Sequence, residues 1–225
     1  MTRILITGAG RGIGFQLAKQ ALEKGWDVVG SVRSVEAQRE LAEKLPRMAV
    51  LNFDVTDHKA VEKVANAFHS PIDILVNCAG IIGPQKQSTL DMDFGGFAKT
   101  LEVNVLAPLK IAQVFLPLVK ASDNGRIVNI SSQMGRMEFS ASDRIAYRSS
   151  KSALNKVTQA LATDLNQEGV TVIAVHPGWV STDMGGPDAP VTPVESAAGL
   201  LNVMENISLE DTGKFIDWDG TARSW

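Results

Sequence analysis

Short aliphatic runs alternate along this chain with longer stretches in which apolar residues recur three and four positions apart. The runs Arg3–Thr7, Asp27–Val32, Ala49–Phe53, Ile72–Asn77, Arg126–Ser131, Thr171–His176 and Lys214–Asp217 read as strands. Between them, Gly12–Lys24, Val35–Leu45, Lys59–Phe68, a long stretch around Phe97–Lys120, Tyr147–Asn166 and Pro193–Met204 carry helical periodicity. Strict strand–helix alternation predicts a parallel sheet with helices on both faces, because every parallel connection has to cross over the sheet. The expected fold class is α/β, a Rossmann-like doubly wound sheet.

With 225 residues the length alone allows one large domain or two small ones. No Pro/Gly/Ser-rich linker, repeat or low-complexity tract interrupts the alternation, so residues 1–225 are expected to form a single domain. A hydrophobic share of 44% with 21% charged residues suits a chain with a real core. A net charge of −3 leaves no basic excess for nucleic acid or an anionic membrane as main partner, so any anion site has to be local. One cysteine, Cys78, and three scattered histidines argue against disulfides and against a metal site. Met1 is followed almost at once by Ile4-Leu5-Ile6, with no charged leader or cleavage pattern, and no apolar stretch reaches the roughly 20 residues of a membrane span. The expectation is a cytoplasmic chain, neither secreted nor membrane-spanning.

The least regular segments, Ile81–Gly96, Gln133–Ile145 and Gly178–Thr192, all follow strands. They should emerge at the carboxyl edge of the sheet, where open α/β folds bind ligands. The first strand-to-helix turn reads Thr7-Gly8-Ala9-Gly10-Arg11-Gly12-Ile13-Gly14. Glycines there allow a tight turn, close approach of the backbone to a pyrophosphate and close helix packing, while the helix N-terminus favours an anion. Alone the motif is equally a structural turn; its place after the first strand favours dinucleotide binding.

An NAD site of this kind carries an acidic residue about twenty positions further on. Here the region reads Gly30-Ser31-Val32-Arg33-Ser34, and Arg33 would bond a 2′-phosphate that an acid would repel. NADP(H) is therefore preferred over NAD(H), with Ser31, Ser34 and Arg11 as helpers; the competing reading of Arg11 and Arg33 is solvated surface charge.

Tyr147 and Lys151 stand four apart at the start of a predicted helix, on one face. A nearby cation lowers the pKa of a phenol, which is otherwise about 10. This is the chain's one tyrosine. Taken alone, such a pair is more often an exposed helix face than a catalytic dyad.

The glycine turn, Asn77-Cys78-Ala79-Gly80, Asn104 in Leu-Glu-Val-Asn-Val, Ile130-Ser131-Ser132, Tyr147-x-x-x-Lys151 and Pro177-Gly178 stand in the order and spacing of the short-chain dehydrogenase/reductase family, which the chain resembles over nearly its whole length. The runs Tyr147–Asn155 and His176–Gly186 are similar to sniffer-like carbonyl reductases and to bacterial C-factor-like proteins. The resemblance implies Tyr147 as general acid in reduction and base in oxidation, Lys151 as holder of the nicotinamide ribose and lowerer of the tyrosine pKa, and Ser132, rather than Ser131, on the substrate oxygen. It implies that Asn104 keeps its helix locally open and holds a water linking Lys151 to solvent; the plain alternative is an ordinary polar helix residue.

The same resemblance puts Asp54 at the adenine amino group with Val55 beside it, Asn77, Ala79 and Gly80 along the cofactor, and Pro177, Gly178, Val180 and Thr182 over the nicotinamide. Thr56 or Asp57 is expected to cap the following helix, and Cys78 to be packing rather than a nucleophile. The polar stretch Gln133–Ala146, with Arg136, Glu138, Asp143 and Arg144, is expected to shape the substrate mouth; its charges either bind substrate or, the preferred reading, merely solubilise a loop. Trp179, Met184 and Phe94 are candidates for an apolar wall or for core. The implied activity is reduction of a small-molecule carbonyl compound, in a homodimer or tetramer paired through the helices of Asn104 and Tyr147. The alternatives are an NAD-dependent alcohol dehydrogenase and a C-factor-like signalling protein that binds cofactor with little turnover.

Overall fold

The computed structural model describes every residue from Met1 to Trp225. The chain runs β1 (Arg3–Ile6), α1 (Gly12–Glu23), β2 (Asp27–Val32), α2 (Val35–Lys44), β3 (Ala49–Asn52), α3 (His58–Asn66), β4 (Ile74–Asn77), a hairpin β5–β6 (Gln87–Ser88, Asp91–Met92), α4 (Phe94–Leu101), a π-helical turn (Glu102–Leu106), α5 (Ala107–Lys120), β7 (Arg126–Ile130), α6 (Ile145–Leu165), β8 (Thr171–His176), α7 (Pro193–Asn206), β9 (Phe215–Asp217) and β10 (Ala222–Arg223). Each strand and helix predicted from periodicity is present, its ends shifted by a few residues at most. The hairpin and β10, two-residue strands outside the alternation, were not expected.

One sheet in the order β10-β9-β8-β7-β4-β1-β2-β3 organises the molecule, parallel throughout except for β10 against β9. β1 lies between β2 and β4, with Leu5 opposite both Val29 and Leu75, so the chain reverses its direction of travel across the sheet at that point. Such a switch opens a crevice at the carboxyl ends of the strands. Alternate strand residues feed opposite cores. Ile4, Ile6, Val28 and Val76 pack with Leu17, Ala18, Leu200 and Met204 of α1 and α7. Leu5, Val29 and Leu75 pack with Val61, Phe115 and Ala162 of α3, α5 and α6.

The helical run Phe94–Lys120 is long and apolar enough by length and composition to cross a membrane, against the expectation that no segment would be. Half of its most apolar window is buried inside the protein, with Ile111, Ala112, Phe115 and Val119 in the second core.

At the end of β8, burial pulls the His176 imidazole down to about 4, against the opposing pull of Asp217. Its Nδ1 is buried without a hydrogen-bond partner. An unfolded histidine takes its proton near pH 6.5, whereas the folded one resists until about pH 4. Unfolding therefore takes up a proton in that window, and stability held above pH 6.5 is lost as pH falls toward 4, by on the order of 3 kcal/mol. Urea unfolding at pH 7 and pH 4.5 checks this: H176N should lose that part of the pH slope, and an unchanged slope refutes it.

Candidate active site

Three turns meet where the sheet switches direction. Gly8, at φ 71°, lies so close to the Asn77–Gly80 turn that a Cβ would stand 2.9 Å from the Ala79 Cα. A Cβ on Gly14 would stand 2.4 Å from the Gly8 carbonyl oxygen, so the first turn of α1 packs directly on the glycine turn. Thr7 ties the two turns together: its Oγ1 accepts from the amides of Cys78 at 3.0 Å and Ala79 at 3.2 Å while donating to the Val76 carbonyl at 3.4 Å. Gly12 faces the Thr182 methyl, which brings in the segment after β8. There Val180 is buried and Gly178, at φ 87°, lies under the Trp218 indole. The Pro177 carbonyl accepts from Ser196 Oγ at 2.6 Å. Arg11, at the N-cap of α1, pairs across this junction with Asp183 at 2.7 Å, both side chains exposed.

Arg33, immediately after β2, is exposed. Of its expected helpers, Ser31 is buried in β2, Ser34 caps α2 by accepting from the Ala37 amide, and Arg11 is engaged by Asp183. Arg33 thus stands as the free cation at the end of β2. Asp54 accepts from the Thr56 amide at 2.9 Å and its hydroxyl at 2.8 Å. Burial acts to raise the Asp54 carboxyl, but these two bonds, with Lys99 and Arg33, hold it below the usual carboxylate range. Asp57, not Thr56, caps α3. The glycine turn Gly8–Gly14, an exposed cation after β2 and an acid beyond β3 fit a dinucleotide.

Tyr147 and Lys151 occupy the first two turns of α6 and are both buried. The Lys151 ammonium donates to the Ile130 carbonyl at 2.8 Å and lies 5.6 Å from the centre of the tyrosine ring. Burial pushes the Tyr147 phenol up to about 12, with the Ser132 hydroxyl and Arg144 pulling the other way. Burial also brings Lys151 down to about 8. The expected lowering of the phenol by the lysine is therefore overturned in this state. Both groups have lost water, which disfavours the charged form of each. The phenol is held as the neutral acid, the form that can give up a proton.

Ser132 faces Tyr147 from the end of β7, its Oγ accepting from the Met134 amide at 3.1 Å. Ser131 turns inward and donates to Asn155, in line with the preference for Ser132. Gly135 allows this arrangement. A Cβ there would stand 2.6 Å from the Lys151 carbonyl carbon, so the turn after Ser132 can lie flat on α6. Asn104 sits in the π-helical turn, fully buried; its Oδ1 accepts from the Ile81 amide at 2.9 Å, and its Nδ2 donates to the Ile81 carbonyl at 2.8 Å and to Ser150 Oγ at 3.0 Å. The helix is indeed locally opened there. Gly80 lies between Asn104 and Lys151.

Asn77 departs from expectation. Its side chain is withdrawn from the cleft and donates to Asn129 Oδ1 at 2.8 Å and to the Pro108 carbonyl at 3.3 Å, leaving only its backbone in the turn. Asn129 in turn donates to Thr158 on α6, so this buried chain holds the tyrosine helix to the sheet. Burial pushes the Cys78 thiol up to about 11, which suits packing rather than nucleophilic attack. Two contributors went unpredicted: Thr7, and Gln87, whose Oε1 accepts from the Tyr147 amide at 3.2 Å while its Nε2 donates to the carbonyls of Ile82 and Pro84. Trp179, Met184 and Phe94 are exposed rather than core, and Met184 lines a cavity beside the site.

The profile of the short chain dehydrogenase family matches residues 2–190. The C-signal of Myxococcus xanthus is 37% identical over 161 residues, 71% of this chain and 96% of that protein. The carbonyl reductase Sniffer of D. melanogaster superposes with a TM-score of 0.93 at 30% identity, with 100% of each chain covered. An NADPH-bound carbonyl reductase from chicken fatty liver gives a TM-score of 0.91 at 30% identity, covering 100% of this chain and 99% of that one. With the profile covering β1 to β8, the glycine turn and the buried tyrosine–lysine pair, the chain belongs to the short chain dehydrogenase family of oxidoreductases.

Proposed function

We propose that this protein is an NADP(H)-dependent carbonyl reductase that converts a small ketone, aldehyde or quinone to the alcohol. The observation that carries the reading is the convergence of Ser132, a buried neutral Tyr147 and Lys151 at the sheet edge that also bears the glycine turn. The Sniffer and chicken liver carbonyl reductases, similar over the whole chain, support the same substrate class, and the NADPH bound to the chicken enzyme supports the cofactor.

When bound, the nicotinamide supplies the hydride, the difficult part of the chemistry. Gly8, Gly10, Gly12 and Gly14, with Ile13 and the amides of α1, receive the pyrophosphate; Arg33 holds the 2′-phosphate; Asp54 and Val55 border the adenine; Ala79, Gly80, Pro177, Gly178, Val180 and Thr182 line the nicotinamide half. Lys151 holds the ribose. Ser132 donates to the carbonyl oxygen and stabilises the negative charge that builds there, and Tyr147 gives that oxygen its proton. Asn104 keeps the far side of Lys151 open for reprotonation through water. The reading includes a cytoplasmic location and a homodimer formed through the helices of Asn104 and Tyr147.

The test is loss of NADPH absorbance against diketones, quinones and aromatic aldehydes, with NADH in parallel. Faster turnover with NADPH is expected. Faster turnover with NADH would instead favour the NAD-dependent dehydrogenase, and tight NADPH binding without turnover would favour a signalling role like that named for the M. xanthus relative.

A further inference from the structure

Beside the tyrosine helix lies a cavity of about 540 Å³, lined by residues 82–88 with Asp91, by Asp143 and Arg144 ahead of the helix, and by Met184 from the segment after β8. Most of its charges are already answered. Lys86 pairs with Asp91 at 3.3 Å, and Asp143 pairs with Arg148 at 2.7 Å. Arg144 is the charged group on this wall with no ion-pair partner.

Its backbone marks it further. Arg144 is the one residue other than glycine with positive φ, at φ 51° and ψ 43°, a conformation that a residue bearing a Cβ adopts at a cost. The surrounding residues hold it there. The Arg148 guanidinium grips the preceding residue from inside α6, donating to the Asp143 carbonyl at 2.8 Å and its carboxylate at 2.7 Å, and the Arg148 amide donates to the Arg144 carbonyl at 2.9 Å. The chain therefore turns sharply at Arg144 and enters the helix one turn ahead of Tyr147. Gln87 braces the opposite wall by binding the Tyr147 amide and the carbonyls of Ile82 and Pro84. Both walls are thus tied to the residue proposed to deliver the proton, and the positive charge of Arg144 is felt at its phenol.

We infer that the carbonyl substrate carries a carboxylate, which docks on Arg144 at this cavity while its carbonyl lies at Ser132 and Tyr147; the inference rests on the reductase reading above. A guanidinium presents paired donors that match a carboxylate, and the amide and hydroxyl donors of Gln85 and Ser88 extend the same complementarity. Met184 covers the apolar middle of such a substrate. The polar segment between Ser132 and Tyr147 is then more than a solubilising loop: Asp143 and Arg148 are positioning residues for Arg144.

A matched pair of substrates tests this, 4-carboxybenzaldehyde and its methyl ester, which share a carbonyl and differ in charge. In the wild type kcat/KM should favour the acid, and in R144Q the acid-to-ester ratio should fall about tenfold. R144K, which keeps the charge, should retain most of the preference, and added salt should erode it only in proteins that retain the cation. Circular dichroism and NADPH affinity of each variant establish that it is folded and loaded. Turnover of both aldehydes with the same ratio in wild type and R144Q overturns the inference and leaves the reductase reading standing. Failure to reduce either aldehyde or any member of the wider panel sinks that reading, and this inference with it.

Discussion

Replacing Tyr147 by phenylalanine lowers kcat by at least about a thousandfold and leaves NADPH binding largely intact. The substitution removes one oxygen from a side chain that is only 9% exposed, so the ring keeps its place in the wall of the site. The amide of residue 147 stays on Gln87 Oε1, and Lys151 stays on the Ile130 carbonyl, because neither bond uses the phenol. What disappears is the proton. Burial keeps the phenol protonated well above neutral pH, so in the wild type the acid is present at every physiological pH. Single-turnover decay of NADPH absorbance, with NADPH affinity measured on the same preparation, separates loss of chemistry from loss of binding. A Y147F enzyme that kept its single-turnover rate would assign the proton to another group.

Reversing the charge at position 33 should weaken NADPH binding about a hundredfold while changing NADH binding little. Arg33 projects from the end of β2 without competition from the neighbouring serines, one of which is buried and the other spent on capping α2. In R33D a cation facing the 2′-phosphate becomes an anion, so attraction turns into repulsion. NADH, which carries a hydroxyl at that position, loses little. Asp54 remains fixed by its two bonds to Thr56, so the adenine end should keep its shape. Fluorescence titration with both cofactors reads the effect as a ratio, and equal losses for the two would refute Arg33 as the selector.

The sheet was legible because β2 and β8 carry short runs rich in valine and isoleucine, and their predicted ends agree with the structure residue for residue. The β5–β6 hairpin was not, since two residues per strand hold no period to read. In the site, what local spacing encodes was readable: the glycine turn and the pairing of Tyr147 with Lys151 on one helix face; the preference for Ser132 came from the family resemblance. What depends on the far side of a contact was hidden. Thr7 reaches an amide 71 positions away, and nothing near Gln87 in the chain announces the tyrosine it supports. Asn77 sits in a recognisable motif, yet its side chain points to whichever face the pleat assigns it, here the core. The direction of the Tyr147 shift depended on burial, which helical spacing does not reveal.

The π-helical turn at Glu102–Leu106 adds one residue to what would otherwise be a continuous α-helix. The two halves of that rod are therefore out of phase with each other. One extra residue rotates everything downstream by about 100°, so the α5 stripe of Ile111, Phe115 and Val119 meets the second core while Asn104 faces Ile81 and Ser150. A single-residue deletion in this turn would smooth the helix and dephase it, and the chain could keep its core contacts or its asparagine clamp but not both.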